Sequence, residues 1–183
     1  MLISFKGIYP KLHDSVWIAP TATVIGDVEI GDNSSIWFNT VIRGDVAAIR
    51  IGRETNIQDN CILHAADQKT GVILGNRVSV GHLTILHGCE IQDNTLVGMG
   101  SIIMDGAVIG KNCIVAAGSL ITANSRFEDG TLILGRPAKV VKEVTPEQIE
   151  RNKHRVANYM MYKDLYAASE HNAGVNGSVA EIF

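Results

Sequence analysis

Proline is absent from residues 21–136 of this chain, and aromatic rings are nearly absent as well, with only Trp37 and Phe38 between residues 21 and 120. A stretch without proline suits a fold in which nearly every backbone N–H serves a ladder. One almost free of rings suits a narrow interior. Cysteine is scarce: Cys61, Cys89 and Cys113 are odd in number and form no C-x-x-C pair. That argues against a disulfide framework or a cysteine-based zinc site and leaves the three as packing residues. There is no excess of basic charge, with 16 Lys and Arg against 19 Asp and Glu, and no basic run, so the electrostatic footprint of a nucleic-acid binder is missing. No apolar run approaches the roughly eighteen residues that span a bilayer. The N-terminal residues lack a charged segment followed by a long apolar stretch, which argues against a signal peptide. A cytoplasmic protein with a small-molecule ligand, and with neither nucleic acid nor membrane as partner, is expected.

What is present is a repeat. Aliphatic residues recur every six positions: Val24, Ile30, Ile36, Ile42; Ile51, Ile57, Leu63; Leu74, Val80, Leu86; and Ile91, Val97, Ile103, Ile109, Val115, Ile121. Four residues after almost every one stands a small or β-branched residue, as in Ser34, Thr40, Val46, Thr55, Cys61, Val78, Thr84, Thr95, Ser101, Ala107, Cys113 and Ser119. A period of six fits neither a helix nor a plain hairpin array. It fits a solenoid over about residues 12–136, with a short strand and a turn per hexad and three hexads per coil. The aliphatic residue then points into a narrow prism and the small one fills beside it. Gly26, Gly31, Gly52, Gly75, Gly81, Gly98 and Gly110 follow or nearly follow inward residues and are expected at tight corners.

The period breaks between Ile42 and Ile51, between Leu63 and Leu74, and between Leu86 and Ile91. These breaks are expected as loops, the longest being residues 65–71, directly after a histidine. After Gly135-Arg136-Pro137 the pattern turns helical. Thr145-Pro146-Glu147-Gln148 reads as an N-cap, a proline at the first helical position and a capping-box glutamine, predicting a helix over about 146–169. Its expected buried face is Ile149, Val156, Tyr159, Met160 and Leu165. The domain expectation is a solenoid over 1–136, a linker and helix over 137–170 packed on it, and a flexible tail over 171–183.

Of six histidines, His13, His154 and His171 lie outside the clear repeats and read as surface residues. His64, His82 and His87 lie inside them. Counting hexads, with each break looped out, puts Ile42, Leu63 and Leu86 at the third corner of successive coils. Arg43, His64 and His87 follow by one residue and stack. Coils about 4.8 Å apart let His64 and His87 both reach one ion at about 2.1 Å. His82 stands at the second corner, above Asp59. One side of the prism is on the order of 15 Å, too far for His82 to reach the other two within one chain. Threefold symmetry would bring the second corner of one copy against the third corner of the next. Taken singly, each histidine is as well read as a solvated corner residue; three at positions able to converge favour a shared metal. Arg43 and Asp45 are either a surface ion pair or, with Arg43 bonded to Asp59 of a neighbour, interface residues. Asn56 and Gln58 are either turn amides or groups that orient a ligand.

These residues, R-G-D at 43–45, N-x-Q-D-N at 56–60, His64, and G-H-x-x-x-x-H-G-C at 81–89, resemble the gamma-class carbonic anhydrase-like family, in its compact bacterial form also labelled hexapeptide-transferase or ferripyochelin-binding protein. The resemblance covers nearly the whole chain. It implies an all-β fold, a left-handed parallel β-helix of hexapeptide repeats with a C-terminal α-helix. It also implies a homotrimer with zinc-type sites at its interfaces, ligated by His64 and His87 of one subunit and His82 of the next. Arg43, Asp45 and Asp59 correspond to the family's interface arginine and aspartates, Asn56 and Gln58 to its site amides, and Tyr159 to a tyrosine that some compact members supply from the C-terminal helix. Val46 stands where the best-studied form has a glutamate, and residues 65–71 replace its acidic loop, so weak proton transfer is expected.

Three imidazoles with an open fourth position form a catalytic rather than a structural metal pattern, one that accepts Zn2+ and also Fe2+ or Co2+. Water on such an ion ionises near neutral pH, giving a hydroxide that attacks carbon dioxide to form bicarbonate. The alternatives are an acyltransferase or metal-dependent thioesterase, since G-R-P-A-K at 135–139 resembles the C-terminal boundary of hexapeptide acyltransferases, or a metal-binding protein without turnover.

Overall fold

The computed structural model describes residues 1–66 and 70–173, with side chains through residue 169. Residues 174–183 of the expected flexible tail and the side chain of His171 lie outside the described residues, as does the middle of the 65–71 loop; residues 171–173, expected in the tail, continue the helix.

The chain coils into a three-sided prism of parallel strands. One sheet holds the second face: Trp17–Ile18, Ser35–Ile36, Asn56–Ile57, Ser79–Val80, Leu96–Val97, Ile114–Val115 and Thr131–Gly135. The other two faces form one continuous sheet. Its third face stacks Ile62–His64, Ile85–His87, Ile102–Ile103 and Leu120–Ile121; its first face stacks Val72–Leu74, Glu90–Ile91, Val108–Ile109 and Arg126–Phe127. This is the solenoid expected from the hexads and the left-handed parallel β-helix that the family resemblance implied. Every inward residue of the clearest run, Ile91, Val97, Ile103, Ile109, Val115 and Ile121, is fully buried.

Residues 42–51 correct one expectation. They are not a loop: Val41–Ile51 is a single strand that runs over the corner from the third face to the first, beside Thr23–Ile30, with a register shift at Gly26/Val28. The extra residues are absorbed by this irregularity, and Val46 is carried out of the interior to 36% exposure. The other small residues are inside as expected. Their hydroxyls cross between coils, with Ser34 Oγ donating to Gly52 O at 2.8 Å, Thr40 Oγ1 to Gln58 O at 2.6 Å and Thr95 Oγ1 to Gly110 O at 2.8 Å. Each such bond satisfies a buried hydroxyl that would otherwise cost stability.

The glycines also act differently from expectation. Corners are turned in the left-handed region by asparagine, such as Asn60, Asn94 and Asn112, whose short polar side chain tolerates it, and by glycines outside the expected set, such as Gly100, Gly106 and Gly118; of the expected glycines only Gly26 lies there. Gly52 and Gly98 are required for closeness instead: a Cβ on Gly52 would lie 2.5 Å from Gly75 O, and one on Gly98 would lie 2.5 Å from Ala117 N.

The 137–145 linker is largely a strand, Ala138–Glu143, paired antiparallel with Thr131–Gly135. The helix α1 (Pro146–Ala173) follows. Its capping box is formed: Gln148 N donates to Thr145 Oγ1 and Thr145 N to Gln148 Oε1. α1 lies on the second face over Trp17–Ile18, Ser35–Ile36 and Ser79–Val80. It is fixed by Asn152 Nδ2 donating to Asn94 O at 2.7 Å, by buried Val156, and by Tyr159 and Tyr166 packed edge-on against Trp37. Leu165, expected inside, is 61% exposed, and Lys163 is buried in its stead; the stripe runs through 152, 156, 159, 163 and 166, a helical spacing that misses 165. Trp37 and Phe38 pack outside the prism, in the aromatic layer beneath α1, so the interior stays free of large rings up to the last coil, where Phe127 stands in register with inward Ile109.

Candidate metal centre

His64 and His87 end adjacent strands of the third face and pair directly in register. Their rings stand 5.4 Å apart between centroids, 62° from coplanar. Below them lies an acidic anchor. Asp45 Oδ1 is 3.2 Å from His64 Nε2, and its Oδ2 takes the Arg43 guanidinium at 2.5 Å. Burial pushes the Asp45 carboxyl upward, but the Arg43 hydrogen bond and charge outweigh it and hold the carboxyl below its usual value. Burial, the Arg43 charge and the neighbouring His87 lower the His64 pKa against the opposing pull of Asp45. The neutral imidazole, which is the form that binds metal, is favoured.

His82 stands on the second face, with Ile57 paired to Val80 beneath it, and its Nδ1 is 2.7 Å from Asp59 Oδ2. Beside this pair the amides form a chain: Gln58 Nε2 donates to Asn56 Oδ1 at 3.2 Å, and Asn56 Nδ2 to Ser79 Oγ at 2.8 Å. The chain leaves the Gln58 carbonyl oxygen available as an acceptor. Tyr159 reaches over from α1, and together with Trp37, Phe38, Tyr162, Tyr166, Asp59 and His82 it lines a cavity of about 340 Å³. Burial, reinforced by the Asp59 charge, pushes the Tyr159 phenol up to about 12, so it remains protonated across the physiological range.

The nine residues singled out in the sequence thus fall into two groups. Arg43, Asp45, His64 and His87 stand at the third-face corner; at the second, Asp59, His82 and Tyr159 line one cavity, while Gln58, bonded to Asn56, lines the neighbouring one with Gly81 and Arg155. Among the described residues no three His, Cys, Asp or Glu side chains within the chain converge to hold an ion, in keeping with the distance argued from strand spacing. One residue was missed. Asp105 Oδ1 lies 2.8 Å from His87 Nδ1, two positions past the inward Ile103 in the next coil, where the same hexad count would have placed it.

A three-sided hexapeptide coil carrying histidines on two corners, with no thiolate beside them, defines the class of hexapeptide-repeat proteins with a candidate histidine metal site. Residues 9–44 and 88–123 match the family described as bacterial transferase hexapeptide (six repeats). The chain is 49% identical over 166 residues to a carbonic anhydrase of Geobacillus kaustophilus, covering 91% of this chain and 90% of that protein. It is 42% identical to the mitochondrial gamma carbonic anhydrase 2 of Arabidopsis thaliana, covering 87% of this chain and 59% of that one. The crystal structure of a hexapeptide transferase family protein from Anaplasma phagocytophilum superimposes with a TM-score of 0.86 at 42% identity, covering 90% of this chain and 97% of that chain. The chain belongs to the gamma carbonic anhydrase family of hexapeptide-repeat proteins.

Proposed function

We propose that the protein catalyses the reversible hydration of carbon dioxide as a homotrimer, with Zn2+, Fe2+ or Co2+ held between copies by His64 and His87 of one and His82 of the next. The observation that carries this reading is the division of the site: two imidazoles face each other on one corner while the third stands on another face, held by its own carboxylate. Three imidazoles without thiolate suit these borderline ions. His82 and His87 are each held through Nδ1, so Nε2 has its lone pair to give; His64 is held through Nε2 and has Nδ1 left.

The outer surface supports a partner copy on the third face. Its outward positions are Val41, Ile62, Ile85, Ile102 and Leu120, with Ile62 46% exposed, and Leu83 and Met99 at the adjoining corner are 64% and 57% exposed. On the first face the equivalent column mixes charged and apolar residues, Glu29, Arg50, Ile73, Glu90, Val108 and Arg126. An apolar stripe of this kind is what a head-to-tail ring of copies would bury against a different patch of the next copy.

A bound ion of this kind supplies the Lewis acidity that makes hydroxide available near neutral pH. The chain's own groups do the rest. Gln58, held by Asn56, which Ser79 holds in turn, accepts a hydrogen bond from the nucleophile and turns it toward carbon dioxide. Tyr159, kept protonated, donates to the product's oxygens. Arg43 shares its five donors between Asp45 and Asp59 of the neighbouring copy. With Val46 in place of a carboxylate, proton removal falls to buffer. Stopped-flow hydration by zinc-loaded and anaerobically iron-loaded protein tests this: activity that rises with buffer concentration and vanishes with the metal in His82→Ala supports it. Stoichiometric metal without activity would shift the reading to acyl transfer or thioester cleavage, which the hexapeptide-transferase relationship favours and a coenzyme A assay would detect.

A further inference from the structure

Asp105 has no part in the residue pattern that pointed to the centre, yet it touches one of its rings. Leu86 pairs with Ile103, so Asp105 lies one coil beyond His87. Its Oδ1 stands 2.8 Å from His87 Nδ1. The approach is built into the backbone on both sides. Gly88, directly after His87, has φ +53, and a Cβ there would lie 2.6 Å from Asp105 Oδ1, so any larger residue would displace the carboxylate. Gly106 N donates to Gly88 O at 2.7 Å, and Asp105 O accepts from Asn124 N at 2.9 Å. The Asp105 backbone is therefore held from the coil above, and its carboxylate is admitted by the glycine below.

We propose that Asp105 is a positioning residue of the metal centre, fixing His87 with its proton on Nδ1 so that Nε2 presents its lone pair to the ion. The inference rests on the metal reading above. An ionised carboxylate can only accept, so the ring nitrogen it meets must carry the proton, and the other nitrogen is left basic. Carboxylate partners of this kind orient a ligating imidazole and raise its basicity, and losing one costs about 10- to 100-fold in metal affinity.

The test has one readout without metal and one with it. In metal-free protein labelled with 15N-histidine, His87 should be the Nδ1–H tautomer, and Asp105→Ala should shift it toward Nε2–H. In chelator competition for Zn2+, Asp105→Ala should raise the dissociation constant about 10- to 100-fold, and Gly88→Ala should act in the same direction. Asp105→Asn keeps the side-chain volume should the alanine variant fold poorly, and should weaken binding too. Asp93→Ala is the control: Asp93 Oδ1 accepts from Asn76 N at 2.8 Å, so it removes a carboxylate between coils and should leave Zn2+ affinity unchanged. An unaltered His87 tautomer, or unaltered affinity in Asp105→Asn, overturns the proposal. Metal lost in His82→Ala but retained at full affinity in Asp105→Ala would overturn this inference alone; metal retained in His82→Ala would overturn the centre itself.

Discussion

His64 and His87 stand side by side in register on adjacent coils, 5.4 Å between ring centroids, while His82 belongs to a different face of the same prism. This division yields a prediction that a site contained in one chain could not meet. His64→Ala and His82→Ala should each lose metal as pure proteins. Unfolded and refolded together in equal amounts, they should regain about a quarter of the wild-type sites, because in a ring of three the intact halves meet at one interface in four. Metal content and hydration rate report the recovery. A mixture as empty as its parents would disprove sharing between copies.

Leu83 follows His82 in the left-handed region, with φ 60, and is 64% exposed. Asparagine turns comparable corners at Asn60 and Asn94. An L-residue with a bulky side chain costs roughly 1–2 kcal/mol there, so its retention asks for a compensating contact. Leu83→Asn should leave the thermal stability of the coil equal or higher while weakening association between copies. Sedimentation velocity over a dilution series reads the second effect. Undiminished association would show that Leu83 lies outside any interface.

Much of this was legible in the sequence because the hexad forces register. One inward aliphatic every six residues fixes which side chains stack, so the Leu63/Leu86 and Ile57/Val80 pairings followed from counting, and with them His64 beside His87 and Asp59 beneath His82. The count failed where backbone geometry, rather than side-chain period, decided the outcome. Residues 42–51 keep their strand bonds through a register shift, which a pattern of apolar positions does not record. Gly52 and Gly98 answer to the close approach of the next coil, which no local turn signal reveals. Asp105 went unnoticed because the search followed histidines, although the same rule places it against His87.

The absence of rings inside every coil but the last makes a stability prediction. Ile103 is fully buried between Leu86 and Ile121 in the third-face stack. Ile103→Phe must push neighbouring coils apart, and overpacking of this kind costs about 1–3 kcal/mol or more. Phe127, at the last coil of the first face, is only half-buried, so Phe127→Ile should cost much less. Urea denaturation of the two variants gives the comparison. Equal midpoints would mean that the prism can widen to admit a ring.

Cys61 and Cys89 are both buried, and burial pushes each thiol up to about 12. Since the thiolate is the reactive form, neither should be alkylated at pH 8 while the coil is closed. Cys61 Sγ also lies 3.2 Å from Gly81 O, the residue before His82, so its exposure requires the second-face corner to open. Labelling by iodoacetamide should therefore proceed at the rate of opening and become independent of reagent concentration once reagent is in excess. Adding Zn2+ should slow it, because an ion bound at His82 stabilises the closed form by mass action. Labelling at Cys61 that is rapid and indifferent to Zn2+ would mean that this corner opens without disturbing the candidate centre, and that His82 contributes nothing to holding a metal there.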